Sequence, residues 1–352
     1  MPYTDELHLA TLTIQLTSLL TKHILHSLPT ATTKTDHTPV TLADFASQAL
    51  LISSIRHAFP SDTFIGEEAA SVLRENSALR QQVWDLVSSI RLDDPSDALI
   101  TRPASIDEML DAIDAGGMGK GGKGRVWIMD PLDGTASFLR GEQYAVSLAL
   151  VEDGEEKVGV VGCPNLPIGV ARIEEGVTDD EGYGVMLSAV RGEGVWMRPM
   201  GKGGLLPATR VAVGDGPEDL SNVHIVDSAK GNGWRQDRLR IIAGEIGAVY
   251  PGTDLWSSHM RYVGLVLGGG DVQLRIPGGP KESSVCVWDH AGLHLILSEA
   301  GCVVTDLDGE SIDFGAGRKL AWNFGVLAAK KGVHQRLLRV AQRVLDMDVG
   351  RK

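Results

Sequence analysis

The chain has 352 residues, 43% of them hydrophobic and 22% charged, enough for one large domain or two of ordinary size with an ample core. This mixture excludes collagen, coiled coil and wholesale disorder, and 42 glycines, against the ~25 that average usage gives such a length, announce many tight turns. A net charge of −13 argues against nucleic-acid partners and a polybasic membrane surface, although an acidic chain binds anions wherever metal ions or a local basic pocket reverse the field.

Cys163, Cys286 and Cys302 lie far apart with no CxxC pair, so neither a disulfide framework nor a zinc site follows. No run approaches the ~18 apolar residues of a spanning helix. The opening MPYTDELHLA carries acids where a signal peptide carries lysines. The expectation is a cytoplasmic enzyme.

Leu9, Leu12, Leu16, Leu19 and Leu20 recur at helical spacing and predict an amphipathic opening helix. The Thr- and His-rich stretch from Thr30 to Thr38 reads as a loop. Thr41-Leu-Ala-Asp44 ahead of FASQALLISSI is a capping-box-like start to a second helix. Thr63 to Gly66 reads as a short strand ending in Glu67-Glu68, and residues 70–115 read as helical. Gly117 to Lys123 imitates the first part of a P-loop, but Gly124 stands where Ser or Thr would bind magnesium. The helix-loop-strand order is also reversed, so a flexible loop is expected.

From Arg125 the pattern turns to strands: Val126–Met129 running into Asp130, then Tyr144–Val151 and Val158–Gly162 joined by the Asp153-Gly154 turn. The Gly/Pro-rich stretch Pro199–Pro207 separates an α+β domain, residues 1–200, from an α/β domain, residues 208–352. In the second, helices at 234–247, 258–268, 289–300 and 333–346 alternate with strands at 271–276, 302–305 and 324–329. His290 and His294 stand one turn apart, but without the glutamate of an HExxH motif they read as packing and hydrogen-bonding residues.

The most informative stretch is Trp127-Ile-Met-Asp130-Pro131-Leu132-Asp133-Gly134-Thr135. An apolar strand delivers two aspartates into a turn that points both carboxylates and the Leu132 carbonyl toward one place. Oxygen-only ligands suit a hard cation, magnesium before zinc; an Asx-turn hairpin is the plain structural alternative. Glu67 ends a short strand, Asp289 opens an apolar helix where the dipole favours a carboxylate, and Asp44 sits in a first helical turn.

Taken together, Pro39-Val40-Thr41-x-x-Asp44, Gly66-Glu67-Glu68, Asp130-Pro-Leu-Asp133-Gly-Thr135 and Trp288-Asp289-x-Ala291 with Glu299-Ala300-Gly301 resemble the magnesium-dependent, lithium-sensitive phosphatases of the inositol monophosphatase superfamily. The similarity is greatest to the bisphosphate-nucleotidase branch, through Phe138-Leu-Arg-Gly-Glu-Gln143, Gly162-Cys-Pro-Asn165, Ala189-Val-Arg-Gly192 and Asp313-Phe-Gly-x-Gly317-Arg318.

The resemblance implies a five-layer α-β-α-β-α sandwich and hydrolysis of 3′-phosphoadenosine 5′-phosphate to AMP and phosphate. It implies a cluster of magnesium ions held by Glu67, Asp130, the Leu132 carbonyl, Asp133 and Asp289. Asp44 and the Thr135 hydroxyl would orient and deprotonate the attacking water. Thr135, Asn232, Ser258, Arg261 and Arg275 would surround the nucleotide, with Arg261 in place of the family's Lys and Asn232 in place of its His. Ala136-Ser137 and Cys302 are further departures.

The partner expected is a small phosphorylated nucleotide, with no nucleic acid or membrane, and the chain is expected to be a monomer. The alternatives are the same chemistry on another small phosphate, such as an inositol phosphate, and an inactive nucleotide-binding paralogue.

Overall fold

The leucine spacing at the start of the chain forms helix α1 (Thr4–Ser27). It is not amphipathic as expected, because every residue from Leu9 to Lys22 is buried. Several of its polar members are threonines that turn back on their own helix: the Thr13 hydroxyl donates to the Leu9 carbonyl and that of Thr17 to the Thr13 carbonyl, both at 2.8 Å. Hydroxyls satisfied in this way cost little to bury, so the helix packs on all sides.

The computed structural model describes residues 2–27, 31–33, 39–228, 234–278 and 285–349. Within the stretch read as a loop, β1 (Ala31–Thr33) is a short strand paired antiparallel with β2 (Pro39–Thr41), in keeping with the extended preference of β-branched threonine; the rest of that stretch lies outside the described residues. Then come α2 (Leu42–Ala58), β3 (Thr63–Ile65), α3 (Ser71–Glu75), α4 (Ser77–Ser89) and α5 (Ile106–Ala115). Asn76 and Ser105 cap the last two helices through their side chains.

Strand β4 (Arg125–Asp133) lies parallel to β3 and antiparallel to β5 (Ala145–Glu152), with the four-residue α6 (Thr135–Phe138) between β4 and β5. β6 (Glu155–Cys163), β7 (Val185–Val190), β8 (Val195–Pro199) and β9 (Thr209–Val211) follow, each antiparallel to its neighbour. The result is one seven-stranded sheet in the order β3-β4-β5-β6-β7-β8-β9. Its β5–β6 hairpin turns at Asp153 (φ 53°) and Gly154 (φ 83°), the paired positive φ values that a tight right-twisted hairpin needs.

The second half supplies β10 (Val226–Asp227), α7 (Gln236–Ile246), β11 (Thr253–Asp254), α8 (Ser258–Leu267), β12 (Val272–Arg275), α9 (Ala291–Ala300), β13 (Cys302–Thr305), β14 (Val326–Lys330) and α10 (Lys331–Val349). Its three-stranded sheet has the order β12-β14-β13 and is antiparallel, whereas the helix–strand alternation suggested an α/β layer. No helix separates β13 from β14, so β14 returns between the two strands that α9 connects.

The helices sort into layers: α1 and α2 cover one face of the large sheet, α8 and α9 lie between the two sheets, and α7 and α10 cover the small one. This is the five-layer α-β-α-β-α sandwich. The core between the sheets is continuous, joining Ile128 and Leu187 to Met260, Leu293, Ala328 and Phe314. Among the described residues no helix is long and apolar enough to cross a membrane.

Candidate active site

Along a regular strand, residues three apart face opposite sides, so Asp130 and Asp133 would diverge. The pairing of β4 with β5 removes that difficulty. Asp130 stands opposite Ser147 and Asp133 opposite Ala145, three positions on one strand (130 to 133) against two on the other (147 to 145). The extra residue is a β-bulge, and it brings the second aspartate round to the side of the first.

Pro131 has no N–H to give a ladder, which favours a bulge there. The Leu132 N–H instead donates to Asp130 Oδ1 at 3.1 Å, an Asx-type bond. The turn expected directly after Asp130 is therefore a bulge within the strand. The chain reverses only at Gly134 (φ 93°), where a Cβ would stand 2.9 Å from that of Ser257.

That close approach docks Asp133 on the start of α8. Asp133 Oδ2 accepts a short hydrogen bond from the Ser257 hydroxyl and one of 2.8 Å from the His259 N–H. Ser257 also caps α8, its Oγ accepting from the Met260 N–H at 3.0 Å. Burial opposes ionisation of Asp133, yet the His259 ring first, then these two hydrogen bonds and Arg261 beyond, hold its carboxyl below the usual range.

Glu67 follows β3, the parallel neighbour of β4. Gln48 fixes this corner: its Nε2 donates to the carbonyls of Glu68 (2.8 Å) and Ile113 (2.7 Å), and its Oε1 accepts from the Glu68 N–H (2.9 Å). Gln48 lies one turn beyond Asp44 on α2, so the same helix face carries Asp44 and braces the Glu67 loop. From the far side, Arg318 donates to the carbonyls of Gly66 and Gly116, both at 2.8 Å, and lies 4.7 Å over the Trp288 ring. Asp289 itself closes the 3-10 turn Val287–Asp289 just ahead of α9, not the α-helix proper as expected.

Electrostatics shows that these acids form one group. Asp130 is buried and its carboxyl is pushed far up, by burial first and then by Glu67, Asp133, Asp289 and Asp44. Asp289 is pushed up to about 7, by burial and then by Asp133, with Glu67 adding to the effect and Arg275 and Arg261 opposing it. Four carboxylates from four separate chain segments thus lie within electrostatic reach of Asp130. Such a set is poorly stable without positive charge, and its oxygen donors fit a hard divalent cation.

The cationic side lies next to it. Ser258 Oγ accepts from the guanidinium groups of Arg261 (3.1 Å) and Arg275 (3.3 Å). Arg261 is buried, and its remaining donation goes to the carbonyls of Leu255 (2.7 Å) and Trp256 (3.0 Å), so its fork is largely occupied by the protein. Arg275 is only half-buried, with its guanidinium 4.2 Å over the Trp234 ring. The Thr135 hydroxyl, at the start of α6, donates to the Leu132 carbonyl at 3.4 Å. Asn232 lies outside the described residues.

Four residues of this region escaped the sequence reading. Gln48 could have been found from its helical spacing to Asp44, and Arg318 belongs to a segment already singled out. Ser257 and His259 carry no such signal. His290 and His294 point to different partners: His290 Nδ1 pairs with the Tyr262 hydroxyl, and His294 with Glu156 on β6.

A five-layer sandwich whose strand ends and helix starts converge on buried acids defines a family of proteins. The chain matches the Inositol monophosphatase family over residues 8–346 and belongs to it. It is 39% identical to the 3′(2′),5′-bisphosphate nucleotidase of Emericella nidulans, over 99% of this chain and 100% of that protein. With the enzyme of the same name from Schizosaccharomyces pombe it shares 35% identity, over 99% and 98% of the two chains. Among solved structures, the Thermotoga maritima IMPase superposes with a TM-score of 0.63 at 19% identity, covering 98% of this chain and 99% of that one, a likeness of fold.

Proposed function

We propose that this protein is a magnesium-dependent phosphomonoesterase that hydrolyses 3′-phosphoadenosine 5′-phosphate to AMP and phosphate. The observation that carries this reading is the convergence of Asp44, Glu67, Asp130, Asp133 and Asp289 on one place, with Ser258 and Arg275 at its edge. The near-full-length similarity to curated 3′(2′),5′-bisphosphate nucleotidases supports the choice of substrate.

Glu67, Asp130, the Leu132 carbonyl, Asp133 and Asp289 would hold the magnesium cluster. Closely spaced divalent ions supply neutralisation of phosphoryl oxygens, a more acidic water and a stabilised leaving alkoxide. The protein's part is positioning and proton handling. Asp44, buried in the first turn of α2, and the Thr135 hydroxyl hold the attacking water, and the Asp44 carboxylate accepts its proton. Asp133 stays ionised because Ser257 and the start of α8 hold it.

Arg275 is the open cation and takes the 5′-phosphate; Arg261, whose terminal nitrogens are engaged by the protein, orients Ser258 and the residues around it. One chain supplies every acid of the cluster, which supports a monomer as the working unit, and three free thiols support a cytoplasmic setting.

The test is phosphate release from 3′-phosphoadenosine 5′-phosphate with magnesium, with and without lithium, alongside AMP and inositol 1-phosphate. Rapid lithium-sensitive release from the bisphosphate, with poor use of the other two, is expected. Equal turnover without any divalent cation would overturn the chemistry, and preference for inositol 1-phosphate would overturn the substrate.

A further inference from the structure

His259 stands apart from the oxygen ligands considered so far. It is fully buried at the start of α8, and its Nε2 lies 3.1 Å from the Trp288 carbonyl. A carbonyl only accepts, so Nε2 carries a proton, and in the neutral ring the lone pair sits on Nδ1. That Nδ1 has no hydrogen-bond partner among the described residues. It faces Asp133 Oδ2 at 4.0 Å, too far for a hydrogen bond. One ligand atom each from His259, Asp130 and Asp133 lie within 4.8 Å of one another. A buried lone pair beside carboxylates is unfavourable unless a positive charge, a proton or a cation, lies between them.

We propose that His259 Nδ1 is a nitrogen donor to the cation cluster beside Asp130 and Asp133, and that it biases the site toward manganese over magnesium. The inference rests on reading the acids as a cation site. Nitrogen donors suit transition metals better than magnesium, which keeps oxygen and water around it. The second contact of the ring serves this role: the bond from Nε2 to the Trp288 carbonyl fixes the tautomer, and Trp288 immediately precedes Asp289.

The experiment uses the full chain loaded with Mn2+ and pulsed electron paramagnetic resonance, which detects nitrogen bound directly to manganese. Chain labelled with 15N at histidine alone should show the coupling change from 14N to 15N character. His259→Gln, whose amide can still reach the Trp288 carbonyl, should lose the signal. It should also bind Mn2+ at least about tenfold more weakly, because even outer partners of a ligand are worth ~10–100-fold, while its Mg2+ affinity changes much less.

Manganese bound without a nitrogen coupling would overturn the assignment of His259 and leave the carboxylate site standing. Failure of the wild-type chain to bind Mn2+ or Mg2+ would overturn both readings. The labelling measurement is made on the unaltered sequence, so absence of a histidine nitrogen on manganese would overturn the proposal even if the variant folds poorly.

Discussion

Arg318 donates through its guanidinium to the carbonyl of Gly66 at 2.8 Å, joining positions 252 residues apart. Gly66 immediately precedes Glu67, and the same guanidinium lies over Trp288, which immediately precedes Asp289. One side chain of the second half thus contacts the residues immediately before two acids far apart in the chain, through backbone at Gly66 and through the ring at Trp288.

Removing that brace should act on cation affinity before it acts on the chemistry. In Arg318→Ala, two charge-assisted bonds to backbone carbonyls are lost, and apparent Mg2+ affinity should fall about tenfold. Arg318→Lys should recover only part of it, since an ammonium lacks the planar fork. Magnesium titration of thermal unfolding would measure both variants; an unchanged affinity in Arg318→Ala would remove the positioning role.

Asp130→Asn should separate function from stability. Ionisation of the native carboxyl is strongly opposed by burial and by four neighbouring acids, so in the metal-free protein an amide there removes the cost of keeping that carboxyl protonated. The variant should release no phosphate and gain no stability from magnesium, yet its metal-free form should be more stable and melt higher than wild type. Calorimetry after chelation is the check, and a lower melting temperature would contradict it.

The pH dependence has a definite sign. In the folded chain Asp289 ionises at about 7, well above an unfolded aspartate near 4, so the folded form retains a proton that the unfolded form has released. Its favourable contribution is complete below ~4 and is lost as pH rises through about 7. The metal-free melting temperature of wild type minus that of Asp289→Asn should therefore decline between pH 5 and 7.5. The stabilisation of wild type by magnesium should grow across the same interval. A difference that stays flat or rises would show that Asp289 is not held protonated.

Gly134→Ala tests the turn. At φ 93° any side chain strains the backbone, and the added carbon would meet Ser257 at 2.9 Å, displacing the residue that holds Asp133. A loss of ~1–3 kcal/mol in stability is expected. Turnover should fall as well, because Ser257 and the His259 N–H move away from the carboxylate. Denaturant unfolding and initial rates at saturating magnesium would show both.

Arg275→Ala should weaken use of the bisphosphate through KM. A charged contact to phosphate is worth ~1.5–3 kcal/mol, so kcat/KM should drop about 10- to 150-fold, with little change for a substrate that lacks the 5′-phosphate. Steady-state comparison of two such substrates is decisive: equal losses on both would place Arg275 in the common chemistry instead of at the nucleotide.

Much of this molecule is legible in its amino-acid order. The strand through Val126–Met129, the Asp153-Gly154 hairpin and the helices flanking Asp44 and Asp289 follow from local periodicity and turn chemistry. Each candidate acid could be picked out because it stands at the end of such an element. What local reasoning misplaced was the buried helix α1, whose threonines mimic a polar face while bonding to their own backbone. It also missed the antiparallel return of β14 between β12 and β13, since strand order belongs to the whole sheet.

The sequence by itself determined which residue types could bind a cation and on which elements they stand, because helical and strand spacing and glycine and proline turns act within a few residues. Only the tertiary structure decided that Asp130 and Asp133 share a side, through a register shift against β5. It alone set Gln48 and Arg318 as the braces of the Glu67 loop, and buried His259 with a bare nitrogen beside the acids. Those outcomes arise from contacts between segments far apart in the chain, where packing and the fate of each buried polar group choose among arrangements that local preference leaves equal.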